Sequence, residues 1–377
     1  MTTPVYLDCN ATTPIEPAVL DVMLFYCREE YGNAGSRTHR HGSAPARALR
    51  TAREQIAAVV DASWEEVIFT SGATESNNIA ILGLAETAAA QGRRHVISTQ
   101  VEHKAVLEPV EMLRQRGFEV TLLAVNSGGR IDATDLGRAL RPDTALVSIM
   151  HVNNETGTVQ PITEVANLLA KHPAALHTDA AQSFGKELIT LPNPRIDLIS
   201  VSGHKIYAPK GVGALVVRTG DRTRGLKPLM HGGGQERGLR PGTVPVHLAA
   251  ALGVAAQLAK EHHGARNAAC ISFRERLTSA LAPLNPLVNG DKNHSLPNVM
   301  NISFGDIDSE AVMIALKDIV SISNGSACTA SSYAPSHVLT AMNLPSERIA
   351  AATRWSWSHM TREPDWHEIV EALKKLL

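Results

Sequence analysis

Between residues 67 and 217, short runs of branched apolar residues alternate with longer stretches at helical spacing. Strands are expected at Val67–Thr70, His95–Thr99, Glu119–Ala124, Ala145–Met150, Ala175–Asp179, Asp197–Ser202 and Gly213–Val217. Helical patterns fill several of the gaps, at Thr74–Ala90, Lys104–Arg116, Ala133–Leu140 and Thr163–Lys171. Two earlier helices are expected over Pro17–Glu30 and Ala44–Asp61. Alternation of this kind builds a largely parallel sheet with helices on both faces, because each parallel return needs a crossover. The expected class is therefore α/β. Ligands on such sheets lie outside the carboxyl ends of the strands.

Beyond residue 217 the pattern changes. A Gly-rich stretch, His231–Thr243, leads into a long Ala/Leu-rich helical pattern from about Val244 to Leu281. The remainder reads as a smaller α+β unit. Its strands are expected at Val299–Phe304, Val320–Ser323 and Ala351–Ser356, its helices at Ser309–Lys317, Pro335–Met342 and Glu363–Leu377. A boundary near residue 260 divides a large unit, 13–260, from a small one formed by 1–12 with 261–377. The length of 377 residues suits this division at ~150 residues per domain.

Composition narrows the function. Lys and Arg total 36 against 37 Asp and Glu, a formal charge of −1, which argues against coating nucleic acid or an anionic membrane. Aromatic residues make up only 4 %, too few for a stacking platform for single strands. Four cysteines, at 9, 27, 270 and 328 and with no CxxC pair, make neither a disulfide framework nor a zinc ribbon. No apolar run approaches the ~18 residues of a membrane span. Met1-Thr2-Thr3-Pro4 does not open a signal peptide, and the expected setting is a reducing cytoplasm.

Six segments could carry chemistry. Ser202-Gly203-His204-Lys205 follows an apolar strand, so Lys205 projects toward the ligand edge. A partly desolvated amine there becomes nucleophilic toward a carbonyl, though taken alone it reads as a surface lysine. Asp179 ends another strand and could hold a pyridinium nitrogen protonated, or simply cap a helix. Ser71-Gly72-Ala73-Thr74-Glu75-Ser76 is a strand-to-helix turn whose N–H groups suit a phosphate, and any capping box looks similar. His103 stands at the same edge, for stacking and proton transfer or for structure. Cys328 lies in Asn324-Gly325-Ser326-Ala327-Cys328-Thr329-Ala330-Ser331-Ser332, where small polar neighbours leave a thiol accessible. Arg354, at a strand end, could fork onto a carboxylate. Competing motifs are missing: no GxxxxGK[ST], no GxGxxG opening a helix, and no HExxH. The arginines at 37, 40, 47, 50 and 53 read as a solvated helix face, with an acidic partner as the alternative.

Taken together, and across essentially the whole chain, these segments resemble the pyridoxal-phosphate-dependent cysteine desulfurases of the NifS/IscS type. The likeness rests on Tyr6-Leu7-Asp8 with Asn10-Ala11-Thr12-Thr13-Pro14, SGATESNN at 71–78 and VEHKAV at 101–106. HVNNETG (151–157), DAAQSFGK (179–186), SGHKIY (202–207), HGGGQERG (231–238) and GSACT (325–329) follow in the same order. The resemblance implies a fold type I transferase with a large, mainly parallel sheet domain and a smaller α+β domain carrying the cysteine loop. It implies pyridoxal 5'-phosphate as cofactor, joined to Lys205, with Asp179 on the pyridine nitrogen and Gln182 on the phenolic oxygen. His103 would stack on the ring and act as acid–base. Ala73, Thr74, Ser202 and His204 would hold the phosphate, and Thr243 would reach across from the second subunit of a homodimer. Asn154 and Arg354 would hold the carboxylate of L-cysteine. Cys328 would accept its sulfur as a persulfide, leaving alanine, for delivery to an acceptor protein.

Some positions depart from the commoner pattern. Ala208 stands where glycine is frequent, Ala34-Gly35 replaces a Pro-containing pair, and Pro241 replaces a frequent serine. Asn33–His39 and the Trp355-Ser356-Trp357 segment resemble the branch that serves DNA phosphorothioation, the Dnd system. Iron–sulfur cluster assembly is the default destination of the sulfur. A selenocysteine lyase, an aminotransferase or a non-catalytic scaffold retaining the fold are the alternatives.

Overall fold

The computed structural model describes residues 3–324 and 335–376. Seven strands form its central sheet: β2 (Val67–Thr70), β3 (His95–Thr99), β4 (Glu119–Leu123), β5 (Thr144–Ser148), β6 (Ala175–Asp179), β7 (Leu198–Ser202) and β8 (Gly213–Val217). They follow β1 (Val5–Tyr6), which pairs elsewhere. The order across the sheet is β2-β8-β7-β6-β5-β3-β4. Strands β7, β6, β5, β3 and β4 are mutually parallel.

The exception is β8, antiparallel to both neighbours. Only residues 203–212 separate it from β7, fewer than the dozen or so a parallel crossover needs, so the chain must turn straight back.

Apolar residues occupy both faces of these strands, and period two sorts them. Phe69, Ile97, Val147, Ile199 and Val216 join one core layer, while Ile68, Val96, Leu146, Leu198 and Leu215 join the other. The first layer lies beneath α1 (Pro17–Arg28), α2 (Arg40–Val59), α5 (Ala133–Ala139), α6 (Ile162–Leu168) and α7 (Val246–Glu261). The second lies beneath α3 (Ala73–Ala90) and α4 (Lys104–Gln115).

The Ala/Leu-rich pattern after residue 244 is two helices, not one. Helix α7 stops at Glu261 and α8 (His263–Leu281) begins after His262, whose φ of −101° and ψ of 12° break the ladder. Ala249, Leu252 and Ala256 of α7 serve the first layer, whereas Cys270, Phe273, Leu277 and Leu281 of α8 serve a separate core. That core also takes Val5 and Leu7, and it reaches to Leu373. It is built on the antiparallel sheet β9 (Leu287–Asn289), β10 (Val299–Ser303) and β12 (Ala352–Ser356), and on β1 paired in parallel with β11 (Val320–Ser321). Around it stand α9 (Ser309–Leu316) and α12 (Trp366–Lys374), whereas α10 (His337–Ala341) and α11 (Ser346–Ala350) put Val338, Leu339 and Ile349 against the first layer of the central sheet. Trp355 and Trp357 are fully buried there.

Candidate active site

The carboxyl ends of β2, β3, β5, β6 and β7 all open onto one cleft of about 1440 Å³, partly exposed to solvent. Among the residues lining it are Ala73, Thr74, His103, Asn154, Asp179, Gln182, Ser202, His204, Lys205 and Arg354. Ten of the positions singled out from the sequence thus meet in one place.

Helix α3 begins at the cleft. Its N-cap, Gly72, has φ of +156° and no side chain caps the helix, so first-turn N–H groups face the cavity with the positive end of the helix dipole. The turn lies flat against the start of β8. A Cβ on Gly213 would come within 2.6 Å of Gly72 Cα and 2.4 Å of the Val201 carbonyl, so only glycine fits there. Ser202 and His204 border the same pocket, and His204 Nδ1 lies 3.1 Å from Thr12 Oγ1. Burial, reinforced by Lys205 and other lysines, pushes His204 down to about 4, leaving a neutral ring at physiological pH.

Asp179, at the end of β6, is buried and accepts from Asn77 Nδ2 at 2.7 Å and from the Ala181 amide at 2.9 Å. These two bonds fix the plane of the carboxylate. Lys205 Nζ donates to the carbonyls of Asn10 (2.5 Å) and Ala11 (2.7 Å). Gln182 Nε2 donates to the same Asn10 carbonyl at 3.0 Å, while its Oε1 is buried with no protein partner. His103 caps α4, its Nδ1 accepting from the Ala105 amide at 3.1 Å. The proton of the neutral ring therefore sits on Nε2. Burial, with the Lys205 charge, holds this histidine below its ordinary value although Asp179 opposes the shift.

Arg354, in β12, is buried. It donates to Asp8 Oδ1 at 2.8 Å and to the Asn154 carbonyl at 3.2 Å, and its Nε has no protein partner. The backbones of Arg354 and Ser323 pair, bringing the chain to the cleft five residues before Cys328. After the gap, Ser336 donates to the buried Glu155 at 2.5 Å, and His337 Nε2 donates to the Glu102 carbonyl at 2.9 Å. Cys328 itself falls outside the described residues. Thr243 is exposed and does not line the cleft of its own chain.

Other contributors carry no local signal in the sequence. Asn77 lies 102 residues from the carboxylate it holds. Asp8, Asn10 and Ala11 stand in the quoted N-terminal run, but nothing in their spacing announces a lysine or an arginine as partner. Glu102 is fully buried and accepts from Thr99 Oγ1 (2.8 Å) and the Met150 amide (2.9 and 3.0 Å). Burial pushes its carboxyl up to about 8.

The donor set suits a flat heteroaromatic ring bearing a phosphate and an aldehyde. It brings amide and hydroxyl donors, a buried carboxylate, an orphaned amide oxygen and an amine to one cleft. Comparison with known proteins agrees. The aminotransferase class-V profile matches residues 5–365. The chain belongs to the class-V aminotransferase family. In that family it is 44 % identical over 377 residues to the cysteine desulfurase IscS of Vibrio campbellii, covering 99 % of this chain and 93 % of that protein. It also superposes on the crystal structure of DndA from Streptomyces lividans with a TM-score of 0.82 and 48 % identity, covering 96 % of this chain and all of the other. The structure of SspA in complex with cysteine gives a TM-score of 0.84 and 39 % identity, covering 95 % and 100 %. The large, mostly parallel sheet is the fold type I architecture of this family's pyridoxal-phosphate enzymes.

Proposed function

We propose that the chain is a pyridoxal-phosphate-dependent cysteine desulfurase, which takes sulfur from L-cysteine onto Cys328 and leaves L-alanine. The observation that carries this is a single cleft holding Lys205, Asp179, the α3 N-terminus and Arg354, with Arg354 paired to the strand that leads into the Cys328 segment. Its relatives support the substrate: IscS is named a cysteine desulfurase, and SspA was solved with cysteine.

The cofactor, when bound, supplies an aldehyde for an amine and a ring that accepts an electron pair. The protein's own groups do the rest. The amides of Ala73 and Thr74, with Ser202 and His204, would hold the phosphate, and Thr243 would add a donor from the partner subunit of a homodimer. Asp179 would hold the ring nitrogen's proton, and Gln182 would bond the phenolic oxygen. Lys205 is held by two carbonyls until its amine is needed for attachment, and once released it can take the Cα proton. His103, neutral and protonated on Nε2, would stack on the ring and could give or take a proton at that atom. Arg354 and Asn154 orient the substrate carboxylate. The Cys328 thiolate attacks the substrate sulfur, because a neutral thiol is a poor nucleophile. The new S–S bond forms as the substrate C–S bond breaks, giving a persulfide.

Residues 13–260 form the cofactor-binding unit and 1–12 with 261–377 the smaller unit, a division supported by the helix break at His262 and the separate core beyond it. The persulfide is delivered in the cytoplasm to an acceptor protein. For that acceptor, an iron–sulfur scaffold is supported by the IscS likeness and a DNA-phosphorothioation enzyme by the 48 % identity to DndA. No helix among the described residues is long and apolar enough to cross a membrane.

The test is release of alanine and sulfide from cysteine with dithiothreitol, for wild type and Cys328→Ala. Mass spectrometry should find one added sulfur at Cys328 after exposure to cysteine alone. Full activity in the variant, or no added sulfur in cofactor-loaded enzyme, refutes the reading. Turnover on selenocysteine or a keto acid in preference to cysteine favours the lyase or aminotransferase alternative.

A further inference from the structure

Two turns floor the cleft, and a second hollow lies behind them. Asp179, Ala181 and Gln182 face the cleft while Gly185 and Lys186 face the hollow; His204 and Lys205 face forward while Ile206 and Tyr207 face back. The hollow measures about 430 Å³, partly open to solvent, and its polar lining is Lys186, Tyr207, Arg266, Asn267, Cys270 and Asn298, with His263 at the edge.

Two donors in it have no partner. Lys186 Nζ and Arg266 Nη1 are both shut off from solvent without a hydrogen bond. Neither group can act as acceptor, so neither can satisfy the other. The charges around them do not cancel. Arg266 Nη2 pairs with Glu16 Oε2 at 2.5 Å, which uses the carboxylate available here. The remaining neighbours from each packed element are neutral or basic. Cys9 and Cys270 are thiols that burial pushes up to about 11. Tyr207 is a buried phenol that lies under the Arg266 guanidinium. His263 Nε2 donates to the Lys186 carbonyl at 3.0 Å, and His359, 3.8 Å from Glu16, packs edge-on to Tyr207. Lys186 plus Arg266 against Glu16 leaves one positive charge uncompensated. Burial alone pushes the lysine down to about 8.

We propose that this hollow is a binding site for one small monovalent anion, a carboxylate or a halide, held by Lys186 Nζ and Arg266 Nη1. Water can satisfy the hydrogen bonds, but an anion also cancels the buried charge while the lysine keeps its proton. The site adjoins the cofactor floor, since Asn298 Nδ2 donates to the Asn10 side chain at 3.3 Å and the Asn10 carbonyl holds Lys205. Nothing in the proposal depends on which reaction the cleft performs.

The test uses the cofactor-loaded full chain, titrated with sodium formate or sodium bromide, ionic strength being held by a bulky sulfonate. Wild type and Lys186→Arg should show a saturable rise in Tm of about 3 °C, and Lys186→Met should show none. Saturation with formate and not bromide assigns a carboxylate, and the reverse assigns a halide. An equal response in Lys186→Met, or none in wild type, overturns the proposal. Should Lys186→Met fail to fold, wild-type crystals soaked in bromide decide. An anomalous peak within hydrogen-bonding distance of Lys186 Nζ supports the site, and its absence together with an empty site in a parallel formate soak overturns it.

Discussion

Lys205 and Lys186 occupy neighbouring turns of one sheet edge, yet their surroundings differ. The ammonium of Lys205 is gripped by two backbone carbonyls at the floor of a wide cleft. That of Lys186 is enclosed behind the same floor with no acceptor at all. A lysine held by carbonyls is oriented at little cost and can be released to react. A lysine with no acceptor is destabilising while charged, unless something enters to share the charge. Burial of a lysine therefore does not by itself mark a reactive amine; the oxygen atoms around it do.

The largest expected effect belongs to the front lysine. Lys205→Ala should lower desulfurase turnover by about 10³-fold or more and abolish the absorbance band of lysine-bound cofactor. Lys186→Ala should leave that band in place. Loss of the band in the second variant and not the first would invert the comparison. Next comes the glycine contact behind the turn that opens α3. Gly213→Ala forces its Cβ into Gly72 and Val201. It should cost about 2–4 kcal/mol in urea unfolding and weaken cofactor binding, whereas Gly264→Ala, where a Cβ meets nothing within 4 Å, should leave the turn undisturbed.

The difference between the lysines also shows what a sequence can convey. The strands of the central sheet are legible because pairs such as Ile68 and Phe69, or Leu198 and Ile199, are apolar on both faces. Lys205, Asp179 and His103 are legible because each closely follows or ends such a strand, where this sheet type opens its crevice. The break at His262 is not, since Ala recurs through α7 and the first turns of α8 and only tertiary packing separates them. The strand Leu287–Asn289 is too short to show a period. The antiparallel course of β8 follows from loop length, yet composition alone reads it as one more buried strand. Hardest of all are the distant partners. Asn77 with Asp179, Asp8 with Arg354 and the isolation of Lys186 are consequences of the finished fold.

A moderate effect separates a positioning residue from the groups it serves. Asn77→Ala removes one of two donors to a buried carboxylate and should weaken cofactor affinity by about tenfold. Asn77→Ser, which can still donate, should recover part of the loss. A variant that binds cofactor normally would show that the Ala181 amide suffices.

The smallest effect is on stability, and it belongs to the rear lysine. Its folded-state value of about 8 lies below the ordinary 10.5, so between these limits the unfolded chain binds more protons than the native one. Stability from this group therefore rises as pH climbs from 8 toward 10.5, and the penalty is fully present below 8. In anion-free buffer, Lys186→Met should be more stable than wild type by on the order of 1–3 kcal/mol at pH 7, with the gap closing toward pH 10.5. Saturating anion should close the gap from the other side at pH 7, by stabilising wild type alone. A gap that ignores pH would mean that Lys186 is already neutral or already paired in the native protein, and the contrast with Lys205 would then be one of packing and not of charge.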